Sequence, residues 1–358
     1  MFAKATELPV VGPVFAALRM ILLDLCSVFL FPWGVWRYNR TRRTPEAAYQ
    51  AMIWLFCTSQ GRFNDWVSHL LAKRNPKIEL VNRSGVLGDM DQPRSASLVE
   101  CLRRDGFIVF PRQLSGDICD RLMGFAMNTP AVVRPMDNED VPKVPRLALF
   151  DVSKPLAVRY DYAQADLLAQ RDVQALLADG SILGVVQEYL GCQPAADVLS
   201  MWWHTNFHDH PDSEAAQYFH FDMDRLKWLK IFIYLTDVGP ENGPHSFVRG
   251  SHRTGAIPSS ILRRGYVRLL DEEVAAHYPK ADVLSFTAPR GSIIIEDTRG
   301  LHKGVNVRGD PRLILQLQFS NYLFGTNYDP AKLGTIYSPD LKSLLERAPA
   351  IYRQYLQT

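Results

Sequence analysis

Between residues 198 and 323 the chain breaks into short apolar runs separated by Gly, Pro, Asp and Asn. Many short strands at close spacing predict a sandwich or barrel. The last run alternates most cleanly: Arg312, Ile314, Gln316 and Gln318 fall on one face, and Leu313, Leu315, Leu317 and Phe319 on the other. A mostly polar face opposite a fully apolar one suits a barrel with a wet interior and an outside packed on helices. Residues 147–151 read as a further strand and 172–190 as a helix. Residues 338–356 read as a C-terminal helical segment, broken at Pro349, that covers the barrel.

The first ninety residues follow a different pattern. Residues 14–36 are nearly all apolar and are followed at once by Arg37, Arg40, Arg42 and Arg43. That length and basic flank would suit a transmembrane helix. Arg19 and Asp24 stand inside the run, however, each costing about 2.5–3.5 kcal/mol near a bilayer centre, and Pro32 and Gly34 interrupt its end. Two readings stay open. One is an interfacial helix with its arginines among anionic head groups; the other is a helix packed on the main domain or on a second subunit. A cleaved signal peptide is disfavoured, because the apolar run starts late and only Lys4 precedes it as a basic residue. A second helix is predicted over 44–59, with Pro45 at its first position, and a third over 64–74, ending before Pro76. Residues 81–97, polar and rich in turn formers, read as a linker. The expected organisation is a helical extension over 1–90, a main domain over 95–325 and a C-terminal segment over 326–358.

His220, Phe221 and Asp222 lie in an aromatic-rich stretch, with His302 82 residues after His220 and Arg312 ten residues further on. In an extended chain His220 and Asp222 project to the same side, so one segment supplies two neighbouring ligands. Two imidazoles and a carboxylate in this order describe the facial triad that holds Fe(II) and leaves the opposite face open. His210 and Asp212 repeat the spacing, but Pro211 stands between them and Asp209 and Ser213 flank them, so that stretch reads as a turn. Gly309, Asp310 and Pro311 reverse the chain and carry Arg312 back toward the metal, where a guanidinium could grip the far carboxylate of a diacid. Arg308, six residues beyond His302, falls about 20 Å from it along an extended strand.

With 47% apolar and 22% charged residues in 358, this is an ordinary globular composition. A net charge of +2 without a basic stripe or zinc-finger spacing argues against a nucleic-acid partner. The five cysteines are scattered and never form a C-x-x-C pair, which fits a reducing cytoplasm and small buried side chains.

After the triad pair come an apolar run over 229–238, then Glu241, Asn242, Gly243, Pro244 and His245, then Gly250, Ser251, His252 and Arg253. Together with the stretches 102–110 and 117–125, these motifs resemble the phytanoyl-CoA dioxygenase family of Fe(II)/2-oxoglutarate oxygenases over residues 95–323. The resemblance implies a mainly β fold with flanking helices, a double-stranded β-helix of jelly-roll or cupin-like form behind the N-terminal helical extension. It implies Fe(II) on His220, Asp222 and His302, with 2-oxoglutarate as cosubstrate and O2 as oxidant. Hydroxylation of an unactivated C–H bond would then release succinate and CO2. A small residue in place of Asp222 would instead suit a halogenase.

Trp202, His204 and Asn206 share a strand face where the family often contacts 2-oxoglutarate. Trp202 and Asn206 therefore join Arg312 as expected cosubstrate residues, whereas His204 equally suits a satisfied core position. His252 reads as structural, and Met223, Arg225, Trp228 and Arg249 as pocket lining. The departure from the pattern is His245, where the family more often has an apolar residue. The expected substrate is a small-molecule or lipid-like compound, and the expected location is cytoplasmic with peripheral membrane contact through the extension. An inactive 2-oxoglutarate-binding barrel, or a cupin-like hydrolase or isomerase with no need of Arg312, are the alternatives.

Overall fold

A computed structural model of the chain describes residues 13–134, 146–213, 215–329 and 331–356. It opens with α1 (Pro13–Thr41), α2 (Glu46–Ser59) and α3 (Arg62–Arg74). A Cβ at Gly34 of α1 would lie 2.1 Å from the Ala48 Cβ of α2, so a side chain there would force the two helices apart. Asp24, unfavourable in a membrane, accepts a hydrogen bond from the Trp54 indole at 2.8 Å. Phe31 and Tyr38 pack edge-on against Phe324 and Tyr322 beyond the last barrel strand, with ring centroids 5.3 and 5.2 Å apart. The other side of α1 stays open: Leu22, Leu25, Phe29, Trp33 and Trp36 are all exposed. No helix of the described residues is long and apolar enough to cross a membrane. α2 starts later than predicted, because the Thr44 hydroxyl accepts the Gly325 N–H at 3.0 Å and ties the segment to the barrel end.

The predicted linker is instead structured. A hairpin of β1 (Ser84–Gly85) and β2 (Gly88–Asp89) leads into α4 (Gln92–Asp105), capped by Asp91. The hairpin is held because the side chains of Asp179 and Ser181 accept the N–H groups of Val86 and Leu87. There follow β3 (Phe107–Phe110), α5 (Gly116–Asn128), β4 (Ala131–Arg134), β5 (Arg146–Ala148) and β6 (Arg159–Asp161). The helix predicted over 172–190 is divided after α6 (Gln164–Leu168) into α7 (Arg171–Leu177) and α8 (Gly180–Leu190). Asp179 divides it, since its carboxylate accepts the N–H groups of Ser181 and Ile182 and caps a new helix. Next come β7 (Ala195–His204), β8 (Trp228–Tyr234), β9 (His245–Val248), α9 (Ser259–Leu262), α10 (Asp271–Ala275), β10 (Val283–Phe286), β11 (Ile293–Glu296), β12 (His302–Gly304) and β13 (Arg312–Ser320). α11 (Pro339–Arg347) and a 3-10 turn from Pro349 reproduce the predicted C-terminal break.

The large sheet is antiparallel throughout, in the order β3-β11-β8-β13-β7-β6-β4-β5. Facing it is the small sheet β10-β9-β12, which the pairing of His220 with His302 extends by one more segment. The fold is a double-stranded β-helix. Phe232, Tyr234, Ile294 and Ile314 of the large sheet meet Phe247 and Phe286 of the small one inside. Ile231, Ile233, Ile295, Leu313, Leu315 and Leu317 face out onto the helices. The alternation predicted for β13 is thus the division between barrel interior and helix-packing surface.

Candidate metal centre and its surroundings

His220 does not lie in a ladder strand. It is held by one bridge, its N–H donating to the His302 carbonyl at 3.0 Å and the His302 N–H to its own carbonyl at 2.9 Å. The Asp222 N–H donates to Thr298 at 2.8 Å. These contacts keep the segment extended, so His220 and Asp222 share a side while Phe221 stacks on Phe56 of α2 at 5.9 Å.

The result is a cluster in which His220, Asp222 and His302 each offer one ligand atom, all within 4.8 Å of one another. Nε2 of His220 lies 3.6 Å from Asp222 Oδ1, and Nε2 of His302 lies 3.4 Å from Oδ2. Both Nδ1 atoms stand 2.9 Å from backbone carbonyls, of Tyr218 and Gly300 respectively. A carbonyl can only accept, so the ring proton sits on Nδ1 and each Nε2 presents a lone pair to the centre. Burial, then the neighbouring His302, hold the His220 imidazole well below its ordinary pKa and hence neutral.

Lys230, unflagged in the sequence, places its ammonium 2.6 Å from Asp222 Oδ2 and 3.4 Å from Asp224. Burial alone would raise Asp222, but Lys230 and the imidazoles outweigh it and hold the carboxyl well below the usual range. The available signal was a lone lysine in the apolar run from Trp228 to Tyr234.

Arg312 opens β13, is 1% exposed and pairs in register with His204 of β7. Its Nη2 donates to His204 Nδ1 at 2.7 Å, whereas Nε and Nη1 have no hydrogen-bond partner. His204 is thus a buried core histidine whose Nδ1 is satisfied by Arg312, while its Nε2 has no partner. Trp202 lies on the same inner face with its indole N–H unpartnered, and the Arg159 guanidinium sits 4.7 Å above its ring. Asn206 lies two residues past the end of β7 and is exposed. Arg308 is exposed as well.

The rival pair does not converge. His210 is exposed and stacks on His208 at 3.9 Å, while Asp212 is buried in a turn and accepts the Ala215 N–H. The residues read as pocket lining have these surroundings. Arg225 forms a buried bidentate pair with Asp197, Trp228 donates to Thr298, Met223 belongs to an apolar cluster and Arg249 is exposed. His252 joins the loop after β9 to α4, with Nε2 3.2 Å from the Arg103 carbonyl. Of the cysteines only Cys119 and Cys192 are buried, fewer than expected.

The profile of the phytanoyl-CoA dioxygenase (PhyH) family matches residues 102–312. The chain belongs to that family. Fe(II), 2-oxoglutarate and O2 are the cofactors of this PhyH-family protein, and oxygenase activity follows. An ectoine dioxygenase of Sphingopyxis alaskensis is 24% identical over 251 residues, which span 64% of this chain and 76% of the relative. A second, from Stutzerimonas stutzeri, is 25% identical over 59% of this chain and 71% of its own length. Among solved structures, EctD from S. alaskensis with 2-oxoglutarate and 5-hydroxyectoine is 20% identical, covering 74% of this chain and 91% of that one at a TM-score of 0.47.

Two further residues of this PhyH-family site lay outside the sequence expectations. Glu296 ends β11 fully buried, and its Oε2 is 2.8 Å from Nε2 of His245. The Tyr234 hydroxyl accepts the His245 backbone N–H at 3.0 Å.

Proposed function

We propose that the protein is a hydroxylase acting on an unactivated C–H bond of a small molecule, with Fe(II) held by His220, Asp222 and His302. The observation that carries this reading is the cluster of three ligand atoms with both imidazoles locked as Nε2 donors. The donor set suits iron: neutral nitrogen and one carboxylate, converging on one face and leaving the other free. Arg312 supports the cosubstrate, because two of its buried donors lack partners and a carboxylate of 2-oxoglutarate would satisfy both. Trp202 offers a third unpartnered donor on the same face. A hydrolase or isomerase on this barrel would leave those donors idle.

When bound, iron and 2-oxoglutarate supply oxidation of the substrate coupled to loss of CO2. The chain's own residues orient these groups: Tyr218 and Gly300 fix the imidazoles, and Lys230 fixes the carboxylate of Asp222. Asp222 itself favours hydroxylation over halogenation. Relatives named for ectoine support a small-molecule substrate.

For location we propose the cytoplasmic face of a membrane, with α1 lying on the surface. The support is its exposed row of Leu22, Leu25, Phe29, Trp33 and Trp36 beside exposed Arg37 and Arg40. The test of the function is anaerobic addition of Fe(II) and 2-oxoglutarate. A visible metal-to-ligand charge-transfer band, followed by succinate release when O2 is admitted, is expected. A protein that binds neither would refute the reading.

A further inference from the structure

A cavity of about 410 Å3 opens between α3 of the helical extension and the ends of α4 and α8, with Lys227, the loop after β9 and Arg299 completing its wall. It shares no lining residue with the triad, Arg312 or Trp202. Four cations line it: Arg103, Lys227, Arg253 and Arg299. Only Arg299 is neutralised. Its Nε and Nη2 donate to Asp297, and its Nη1 donates to Asp65 at 2.9 Å. Asp297 also accepts the Tyr189 hydroxyl, and Asp65 that of Thr254, so both carboxylates are engaged.

The other three cations form no ion pair among the described residues. Lys227 Nζ has the Tyr189 carbonyl at 3.3 Å and the face of the Tyr189 ring at 4.4 Å. Arg253 has the Gly250 carbonyl of its own turn at 3.2 Å. Burial, then Arg299 and Arg103, outweigh Asp297 and Asp65 at Lys227 and push its ammonium down to about 8, a cost that a neighbouring anion would relieve. In the α3 wall the Ser68 hydroxyl, 5% exposed, has no hydrogen-bond partner. Four positive charges against two negative ones leave a surplus of two, inside a cleft whose walls focus the field. A carboxylate brings one negative charge. A phosphate monoester brings about −1.5 to −2 with three acceptor oxygens, which matches both the surplus and the three unpaired cations.

We propose that this cavity binds the phosphate group of an anionic ligand through Lys227, Arg103 and Arg253, apart from the metal centre. A soluble phosphate ester and a phospholipid headgroup carry the same chemistry, and the test separates them.

Full-length protein is titrated calorimetrically with inorganic phosphate at an ionic strength held constant with sodium chloride, and each variant is melted in both salts. Phosphate should raise the melting temperature above the chloride control. Lys227→Gln should raise the Kd for phosphate about tenfold or more, as loss of a hydrogen bond to a charged group requires. Lys227→Arg should keep most of the affinity, and Arg171→Gln, an exposed arginine outside the cavity, should bind as the parent does. The proposal is overturned if phosphate acts no differently from chloride, if Lys227→Gln binds as tightly as the parent, or if Arg171→Gln weakens binding as much. Should Lys227→Gln fail to fold, Arg103→Gln combined with Arg253→Gln decides: an unchanged Kd overturns it. For the source, glycerol 3-phosphate is compared with phosphatidylcholine vesicles containing phosphatidic acid. Loss of glycerol 3-phosphate binding in Lys227→Gln with vesicle binding unchanged assigns a soluble ester, and loss of vesicle binding in that variant assigns a headgroup. Indifference of both to the substitution overturns the proposal.

Discussion

Arg312 and His204 face each other across the β13–β7 ladder, with Nη2 donating to Nδ1 over 2.7 Å. The contact leaves Nε and Nη1 of a buried guanidinium without an aligned hydrogen bond, with the Tyr234 hydroxyl beside them. Loss of a buried charge-assisted partner costs about 2–5 kcal/mol. Arg312→Ala should therefore raise the apparent KM for 2-oxoglutarate by more than roughly tenfold, and exposed Arg308→Ala should leave it nearly unchanged. Steady-state kinetics with varied 2-oxoglutarate checks this, and the reverse ranking would refute the assignment.

For the triad, Asp222→Ala is expected to abolish hydroxylation and His302→Ala to weaken iron binding as well. His210→Ala should retain iron, because that side chain is exposed and stacked on His208. Metal content after gel filtration provides the comparison. Iron lost with His210→Ala but kept with Asp222→Ala would place the centre elsewhere.

Lys230 places its one positive charge between two carboxylates, buried Asp222 and partly exposed Asp224. Lys230→Met should destabilise the metal-free protein by about 3–5 kcal/mol, the usual cost of leaving buried charge uncompensated. The loss should be smaller at pH 5 than at pH 8, since protonation relieves the buried charge, and Mn(II) should restore part of it by binding the folded state. Urea unfolding with and without metal measures both. An unchanged midpoint under all conditions would show that Lys230 contributes nothing here.

Glu296 predicts a pH dependence. Its folded-state value of about 8 stands above the ordinary 4.5, chiefly through burial. Below pH 4.5 the group is protonated in both folded and unfolded chains and has no effect. Between 4.5 and 8 the folded chain keeps a proton that the unfolded chain releases, so stability falls as pH rises. Glu296→Gln removes that dependence. In metal-free protein the variant should gain on the parent by several kcal/mol, to order of magnitude, between pH 5 and pH 8. A pH-independent difference in urea unfolding would count against it.

At the membrane, each arginine near an anionic surface contributes about 1 kcal/mol, and salt screens it. Liposomes containing phosphatidylserine should bind the protein at low ionic strength and release it as salt rises. Changing Arg37 and Arg40 to Gln, or Phe29 and Trp33 to Ser, should weaken binding. Indifference of the parent protein to such liposomes would leave the exposed face of α1 as a protein contact.

Local pattern sufficed for a good part of this molecule. Strand alternation separated the inner face of β13 from its outer face, and the His220–Asp222 spacing with His302 and Arg312 selected the residues the barrel brings together. The turn formers around Pro211 likewise set the rival pair aside. Such features are legible because side-chain direction along an extended chain depends only on neighbouring residues. Side-chain hydrogen bonds to distant backbone are not encoded that way, which is why the 81–97 linker proved to be a hairpin held by Asp179 and Ser181, and why Thr44 serves Gly325 instead of its own helix. Long-range packing likewise decided which side of α1 meets the barrel and which stays exposed. It also set Lys230 against Asp222, Glu296 against His245 and His204 against Arg312, pairs separated by 8, 51 and 108 positions that meet only when the strands close into a barrel.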